Sequence, residues 1–290
     1  MATDPANPPA SAPLSPMNAA IYAHLATLMA QPKSANNLEQ MLRLLAKWRS
    51  TLLANTITAK DGLAVQAGPF AGMQYIAAGS EGSTAARLLG SYEAALHPII
   101  DKITRSAYDQ IIDVGCAEGY YAVGLARLMP KVRVLAHDQN PVAQQKCAEL
   151  ALLNGVAAQV QIGGAIGHTD FDICTRAKTL VICDIEGAEA QLLDPALAKG
   201  LLAADILVEV HDCFSPGLSA KLAARFEGTH EVQLIHRAQS ALPLPAWMDA
   251  LSDLDRLVAL WEWRMGPTPW LWMVHKPKKP AKPSQNRKAK

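Results

Sequence analysis

Between residues 110 and 212 four groups of acids, one with a histidine, stand at the ends of apolar runs. The first is Ile111-Ile112-Asp113-Val114-Gly115-Cys116-Ala117-Glu118-Gly119-Tyr120. Small residues at 115, 117 and 119 allow a sharp turn and close backbone approach to a ligand, with an acid two residues ahead. The second is Asp138-Gln139, 25 residues beyond Asp113, where a carboxylate can accept both hydroxyls of a ribose. The third and fourth are Asp184-Ile185-Glu186 and Glu209-Val210-His211-Asp212. If the runs before them are neighbouring strands, the two tips lie about 4.8 Å apart and each i, i+2 pair shares a face. Such a group has three readings. His211 can be a general base oriented by Glu209 or Asp184, since an imidazole titrates near neutrality. Asp184, Glu186, Glu209 or Asp212 can hold a hard cation such as Mg²⁺. Or the acids cap loops and helix ends while His211 makes a satisfied hydrogen bond.

The elements that must position these residues alternate. Apolar runs at 110–114, 132–136, 158–162, 179–183, 205–210 and 231–236 read as strands, separated by helical patterns at 120–129, 141–153, 189–199 and 216–227. Asn140-Pro141 opens one helix and Asn154-Gly155 closes it. Strands apolar on both faces and separated by helices imply an α/β fold: a Rossmann-like, mostly parallel sheet with helices on both faces. Ahead of it, residues 63–78 around Gly68-Pro69-Phe70-Ala71-Gly72 predict a small β-hairpin, and a helix is expected over 85–103. Two earlier helices, 17–31 and one carrying Leu38, Met41, Leu42, Leu45, Trp48 and Leu52 at helical spacing, form an N-terminal segment. They need a surface to cover, either this chain's sheet or a second copy in a homodimer.

A dinucleotide fingerprint requires G-x-G-x-x-G, but reading from Gly115 places Tyr120 at the third glycine position, which disfavours NAD. The chain instead resembles the class I S-adenosylmethionine (SAM)-dependent methyltransferases. Asp113, Gly115, Ala117 and Gly119 match their first motif, Asp138 the ribose-binding acid of the second, and Gly163 and Gly164 the adenine contact, although the acid often found there is lacking. Gly68-Pro-Phe-Ala-Gly-Met73, Tyr92-Glu93, Asp184-Ile-Glu-Gly-Ala-Glu189 and Glu209-Val-His211 are similar to the FkbM-like branch. The resemblance spans about 60–275. It implies SAM as cofactor, held by Asp113, Gly115, Cys116, Ala117, Gly119, Tyr120, Asp138, Gln139, Gly164 and Asp184. It also implies that the hairpin covers the cofactor and that Tyr92 or Glu93 touches its methionine part. The implied activity is O-methylation of a small-molecule hydroxyl by in-line displacement, with His211 as base; a divalent metal is the alternative activator. A SAM-binding module without transferase activity and an NAD-dependent oxidoreductase are the competing functions.

Composition narrows the setting. The 290 residues are 50% hydrophobic and 18% charged, enough for a large core without staples. Five cysteines without a CxxC pair exclude a disulfide framework or zinc ribbon, and Cys116 reads as a small space-filler. Seven of the basic residues fall in the last fifteen, leaving 20 Lys and Arg against 26 acids elsewhere, so no specific nucleic-acid surface is expected. Residues 276–290 read as a basic disordered tail and the proline-rich 1–16 as another, bracketing a helical segment at 17–60 and the SAM-binding domain at 61–275. With no apolar run of membrane length and no leader pattern, a cytoplasmic location is expected. The tryptophans at 247, 261, 263, 270 and 272 read mainly as core, with Trp263 or Trp270 a possible pocket wall.

Overall fold

A seven-stranded sheet organises the chain. The computed structural model describes residues 14–76 and 83–276; most of the tails expected at 1–16 and 276–290, and the end of the hairpin at 77–78, lie outside them, while Pro16 already opens the first helix and the Lys276 amide bonds the Thr229 carbonyl. The strands are β1 (Gln110–Val114), β2 (Arg133–His137), β3 (Val160–Gly163), β4 (Thr179–Cys183), β5 (Asp205–Glu209), β6 (His230–Ile235) and β7 (Trp270–His275). Their order is β3-β2-β1-β4-β5-β7-β6, parallel except for β7, which runs antiparallel to both neighbours. This is the Rossmann-like α/β architecture. Period-2 alternation feeds two cores: Ile111, Val134, Leu180, Ile182 and Leu207 face one side, and Ile112, Leu135, Val181, Cys183 and Ile206 the other.

The helices are α1 (Pro16–Met29), α2 (Ala35–Asp61), α3 (Thr84–Leu89), α4 (His97–Thr104), α5 (Tyr120–Leu128), α6 (Pro141–Leu153), α7 (Glu189–Leu192), α8 (Leu218–Phe226) and α9 (Asp253–Ala259). At α6 the Asn140 side chain accepts from the Val142 amide, and Pro141 occupies the first turn, where no amide is needed. The N-terminal pair packs on its own chain: Arg49 of α2 pairs with Asp255 of α9, and Ser50 meets Ser83 before α3. Tyr22, Met29, Leu38 and Leu42 remain exposed. Among the described residues no helix is long and apolar enough to cross a membrane.

Four expectations are corrected. The helix over 85–103 is broken: Gly90 ends α3 with φ +74°, where a Cβ would lie 1.9 Å from the Ala67 carbonyl oxygen, and α4 begins only at His97. The helix over 189–199 is a single turn, because Pro195 denies the preceding residue helical geometry. The hairpin is present but shorter than 63–78: Ala64 bridges Gln74, and the Val65 and Tyr75 amides donate to the Met73 and Leu63 carbonyls at 2.8 Å each. And residues 270–275, assigned no element in the sequence, form a seventh strand between β5 and β6, with Trp270 and Trp272 buried in the core as expected.

Candidate functional site

From β1 the chain winds outward through β2 to β3 and then returns to place β4 on β1's other side, so the strand order reverses between β1 and β4. A crevice opens there, beyond the carboxyl ends of the strands. The turn after β1 fills its base. Gly115 has φ +80°, and a Cβ on it would lie 1.7 Å from the Asp184 carbonyl oxygen, so the two strand ends touch through backbone alone. Gly119, at φ +93°, leads into α5, and Ala117 sits in the left-handed region at φ 47°. Left-handed non-glycine residues are costly and cluster where function holds them. Of the four described here, Ala117, Glu186 and Trp263 line this crevice, and Glu93 follows Tyr92, which lines it too.

Two cavities meet at the turn, sharing Gly115, Asp184 and Glu186. The larger, about 500 Å³, runs over the tips of β1, β2 and β3 and is lined by Asp138, Gln139, Gly164 and Ile185. The smaller, about 230 Å³, lies toward β5 and is lined by Tyr92, Asp113, Ala117, Tyr120, His211 and Trp263 among others. Asp138 is committed to backbone on both oxygens: Oδ2 accepts from the Ala117 amide at 3.0 Å and Oδ1 from the Asn140 amide at 2.8 Å. It therefore braces the turn, and any ribose contact uses its remaining lone pairs. Cys116 is buried, its thiol held protonated by a hydrogen bond with Cys147 and by burial.

The structure brings Asp184, Glu186, Glu209 and His211 together. Cys183 pairs with Val208 in parallel register, which sets the two tips side by side. Glu186 departs from strand geometry at φ 54° and curls back to place Oε2 3.2 Å from His211 Nε2. Asp184 Oδ1 lies 3.8 Å and Glu209 Oε2 3.9 Å from the same nitrogen. Neither orients the ring as expected. That is done by Glu189, whose Oε1 accepts from Nδ1 at 2.7 Å, while Phe214 stacks on the ring with centroids 5.6 Å apart. Burial alone would lower the His211 pKa, but hydrogen bonds to Glu186 and Glu189 and the Asp184 charge outweigh it and push it up to about 10. Asp212 falls outside the group: its oxygens take the Ser219 amide at 2.9 Å and hydroxyl at 2.6 Å at the start of α8.

Glu209 and Glu93 serve another centre. The guanidinium of Arg264 bonds Glu93 and Glu209, takes Glu262 at 3.0 Å through Nε, and donates to Thr268 at 2.6 Å. Glu93 also accepts from the Trp270 indole at 3.0 Å. Glu93 is thus absent from the walls of both cavities, whereas Tyr92 lines the smaller, and Trp263 rather than Trp270 forms wall. Burial and the neighbouring Glu262 charge hold the Glu93 carboxyl well above its ordinary range. A third buried set, Arg87 with Glu118 at 2.9 Å and Tyr75 on the same carboxylate, ties the glycine turn to α3. Arg87 lies over the Tyr92 ring at 4.5 Å. Sequence reading missed Glu189, Arg264, Glu262 and Arg87.

Asp113 is 3% exposed, and its Oδ2 has no hydrogen-bond partner. Burial, then the Asp184 charge, raise its carboxyl to about 7. Because the folded-state value exceeds the unfolded one, the folded chain holds this proton over roughly pH 4–7 and loses stability as pH rises through that window. Asp113→Asn is expected to be more stable than the parent at pH 8, by on the order of 2–4 kcal/mol, with the gap closing toward pH 4. Urea unfolding at the two pH values checks this; a gap of equal size at both contradicts it.

No family model matches the chain, and no curated protein is significantly similar to it. Solved structures are. A Klebsiella pneumoniae protein described as an O-methyltransferase is 10% identical, with 91% of this chain and 92% of the other covered and a TM-score of 0.41. The human methyltransferase 10 domain containing protein is 11% identical over 79% of this chain and 96% of its own, TM-score 0.44. A Streptococcus pneumoniae protein described as a tRNA (m1A22) methyltransferase, solved with SAM, is 11% identical over 61% and 70%, TM-score 0.41. The Rossmann-like α/β class of the present chain stands on its own strand order and register.

Proposed function

We propose that the chain is a SAM-dependent methyltransferase of the FkbM-like kind, acting on a hydroxyl of a small acceptor. One observation carries the reading: the two cavities meet at Gly115, Asp184 and Glu186, at the switch point of the sheet. A nucleoside along Asp138, Gln139 and Gly164 would present its sulfonium where the smaller cavity begins. Its amino-acid part would then run past Gly115, Ala117 and Tyr92, with the ammonium toward the partnerless oxygen of Asp113. Methyl transfer is an in-line displacement, and holding acceptor and methyl in a near-attack geometry is worth about 7–11 kcal/mol. The acceptor's proton leaves to the Asp184–Glu186–His211 group, which lines the same cavity. His211 serves there with Nε2, because Nδ1 is taken by Glu189; with its pKa pushed up to about 10 the ring must first give up its own proton, so turnover is expected to rise as pH approaches that value.

Calorimetry of the full chain with S-adenosylhomocysteine and with NADH tests the cofactor. Heat with the first and none with the second is expected; the converse would make the protein an oxidoreductase. Transfer of labelled methyl from SAM to a panel of small alcohols then tests the chemistry. His211→Ala is expected to lower turnover about 10²–10⁴-fold with S-adenosylhomocysteine affinity unchanged. Binding without transfer to any acceptor would support a non-catalytic SAM-binding module instead.

A further inference from the structure

We infer that the mouth of the smaller cavity selects an acceptor whose reacting hydroxyl and a carboxylate sit on one aromatic ring, the ring against Phe214 and Trp263 and the carboxylate toward Lys47. The chemistry of this acceptor rests on the methyl-transfer reading; its binding does not. The cavity changes character from base to mouth. Glu118, Glu209 and His211 at the base are buried, whereas Phe214 and Met265, lining the same cavity, are 58% and 67% exposed. Large apolar side chains left in water at the edge of a charged cavity offer the surface that a ligand's apolar body would cover.

Two aromatic rings there are held in place. Phe214 lies within 5° of parallel to the His211 ring, with centroids 5.6 Å apart, so a ring resting on it lies beside the group that takes the proton. Trp263 keeps a left-handed φ of 67°, which a bulky residue adopts only under constraint, and its indole donates to the buried Ser50 Oγ at 3.1 Å. Charge then selects the carboxylate. Among the described residues the other cations lining the cavity are paired: Arg87 with Glu118, Arg264 with Glu93, Glu209 and Glu262, and His211 with Glu186 and Glu189. Lys47 joins none of these pairs. Its ammonium lies over the Trp263 ring at 5.0 Å, where the indole face steadies it without neutralising it. An aromatic hydroxyl follows from the proton transfer: like that of tyrosine it ionises at about 10, where His211 also stands, whereas an aliphatic hydroxyl ionises far higher. The acceptor oxygen gains the methyl carbon as the carbon–sulfur bond breaks, the bonding pair staying on sulfur, and its proton passes to His211 Nε2.

The test uses the full chain and the hydroxybenzoate isomers, each compared with its hydroxybenzamide. Binding is read by quenching of tryptophan fluorescence, with and without S-adenosylhomocysteine, and methyl transfer from SAM is followed for the same compounds. At least one isomer is expected to bind about tenfold more tightly than its amide, the effect of one charge-assisted hydrogen bond. Lys47→Met, at an exposed position on α2 that leaves folding intact, should bring the ratio close to one. No saturable binding of any isomer, equal binding of acid and amide by the parent, or a Lys47→Met variant that keeps the preference overturns the inference. So does a Lys47→Met variant that loses S-adenosylhomocysteine affinity with the ratio unchanged, which would give this ammonium to the cofactor's own carboxylate. Preferential binding of the acid without methyl transfer leaves the site standing and sinks the methyl-transfer reading, so the two failures give different results.

Discussion

Arg264→Met is expected to destabilise the protein by about 3–5 kcal/mol at pH 8, because it removes the guanidinium and leaves its carboxylates buried and uncompensated. Glu93, Glu209 and Glu262 converge on that one side chain, and Glu93 and Glu209 are 4% and 2% exposed. The loss should depend on pH, with a sign that follows from burial. Glu93 and Glu262 already lie above the ordinary carboxyl range in the intact cluster, burial being the leading cause in each. Without Arg264 they rise further above their unfolded values. The folded variant then binds more protons than the unfolded chain, and its stability falls as pH rises above the unfolded value near 4. Urea unfolding at pH 5.5 and pH 8 should therefore show the deficit shrinking at the lower pH. A deficit of the same size at both would mean that the carboxylates are not the source.

Gly115→Ala is the second large effect. An added Cβ would lie 1.7 Å from the Asp184 carbonyl oxygen, in a residue held at φ +80°, so both sterics and backbone geometry oppose it. Nothing flexible can yield, since the obstacle is the main chain of the adjoining strand end. The expected loss is on the order of 3 kcal/mol or more, with S-adenosylhomocysteine binding abolished because the two cavities meet at this residue. Gly164→Ala is the control. It lines the larger cavity, has open space around a Cβ and no left-handed φ, and should stay within about 0.5 kcal/mol of the parent. Equal stability of the two variants would contradict the geometry of the turn.

Much of this was legible in the amino-acid order, and the gaps have physical reasons. β1 and β4 are apolar on both faces and end in acids beside small residues, so their existence and the chemistry at their tips could be read together. The tips do pair as expected, because parallel register carries Cys183 opposite Val208. β7 was hidden. Its six residues follow a stretch in which Leu251, Leu254, Val258 and Trp261 recur at helical spacing, and of these Leu254 proves 68% exposed while Val258 is buried. A short apolar run has no period that separates strand from helix. Pro267 and Pro269, just ahead of the run, were the available sign of a strand start. Glu189 was visible as part of a motif but not as the partner of His211, since the one-turn α7 that points it inward is cut short by a distant-looking Pro195. Arg264 gave little local signal: Glu262 is two residues away, but Glu93 and Glu209 lie 171 and 55 residues away, and only the antiparallel return of β7 brings the loop before it into their reach.

That return has a consequence for how the molecule comes into being. Among the described residues β6 touches the rest of the sheet only through β7, and β7 follows the other six strands in sequence. As the polypeptide leaves the ribosome, β1 to β5 can zip together in order, but β5 waits with an open edge and β6 with no neighbour until residues 270–275 emerge. Arg264 lies just ahead of β7 in sequence, so the wall of the smaller cavity that it braces emerges after the turn and strand tips that form the rest of the crevice.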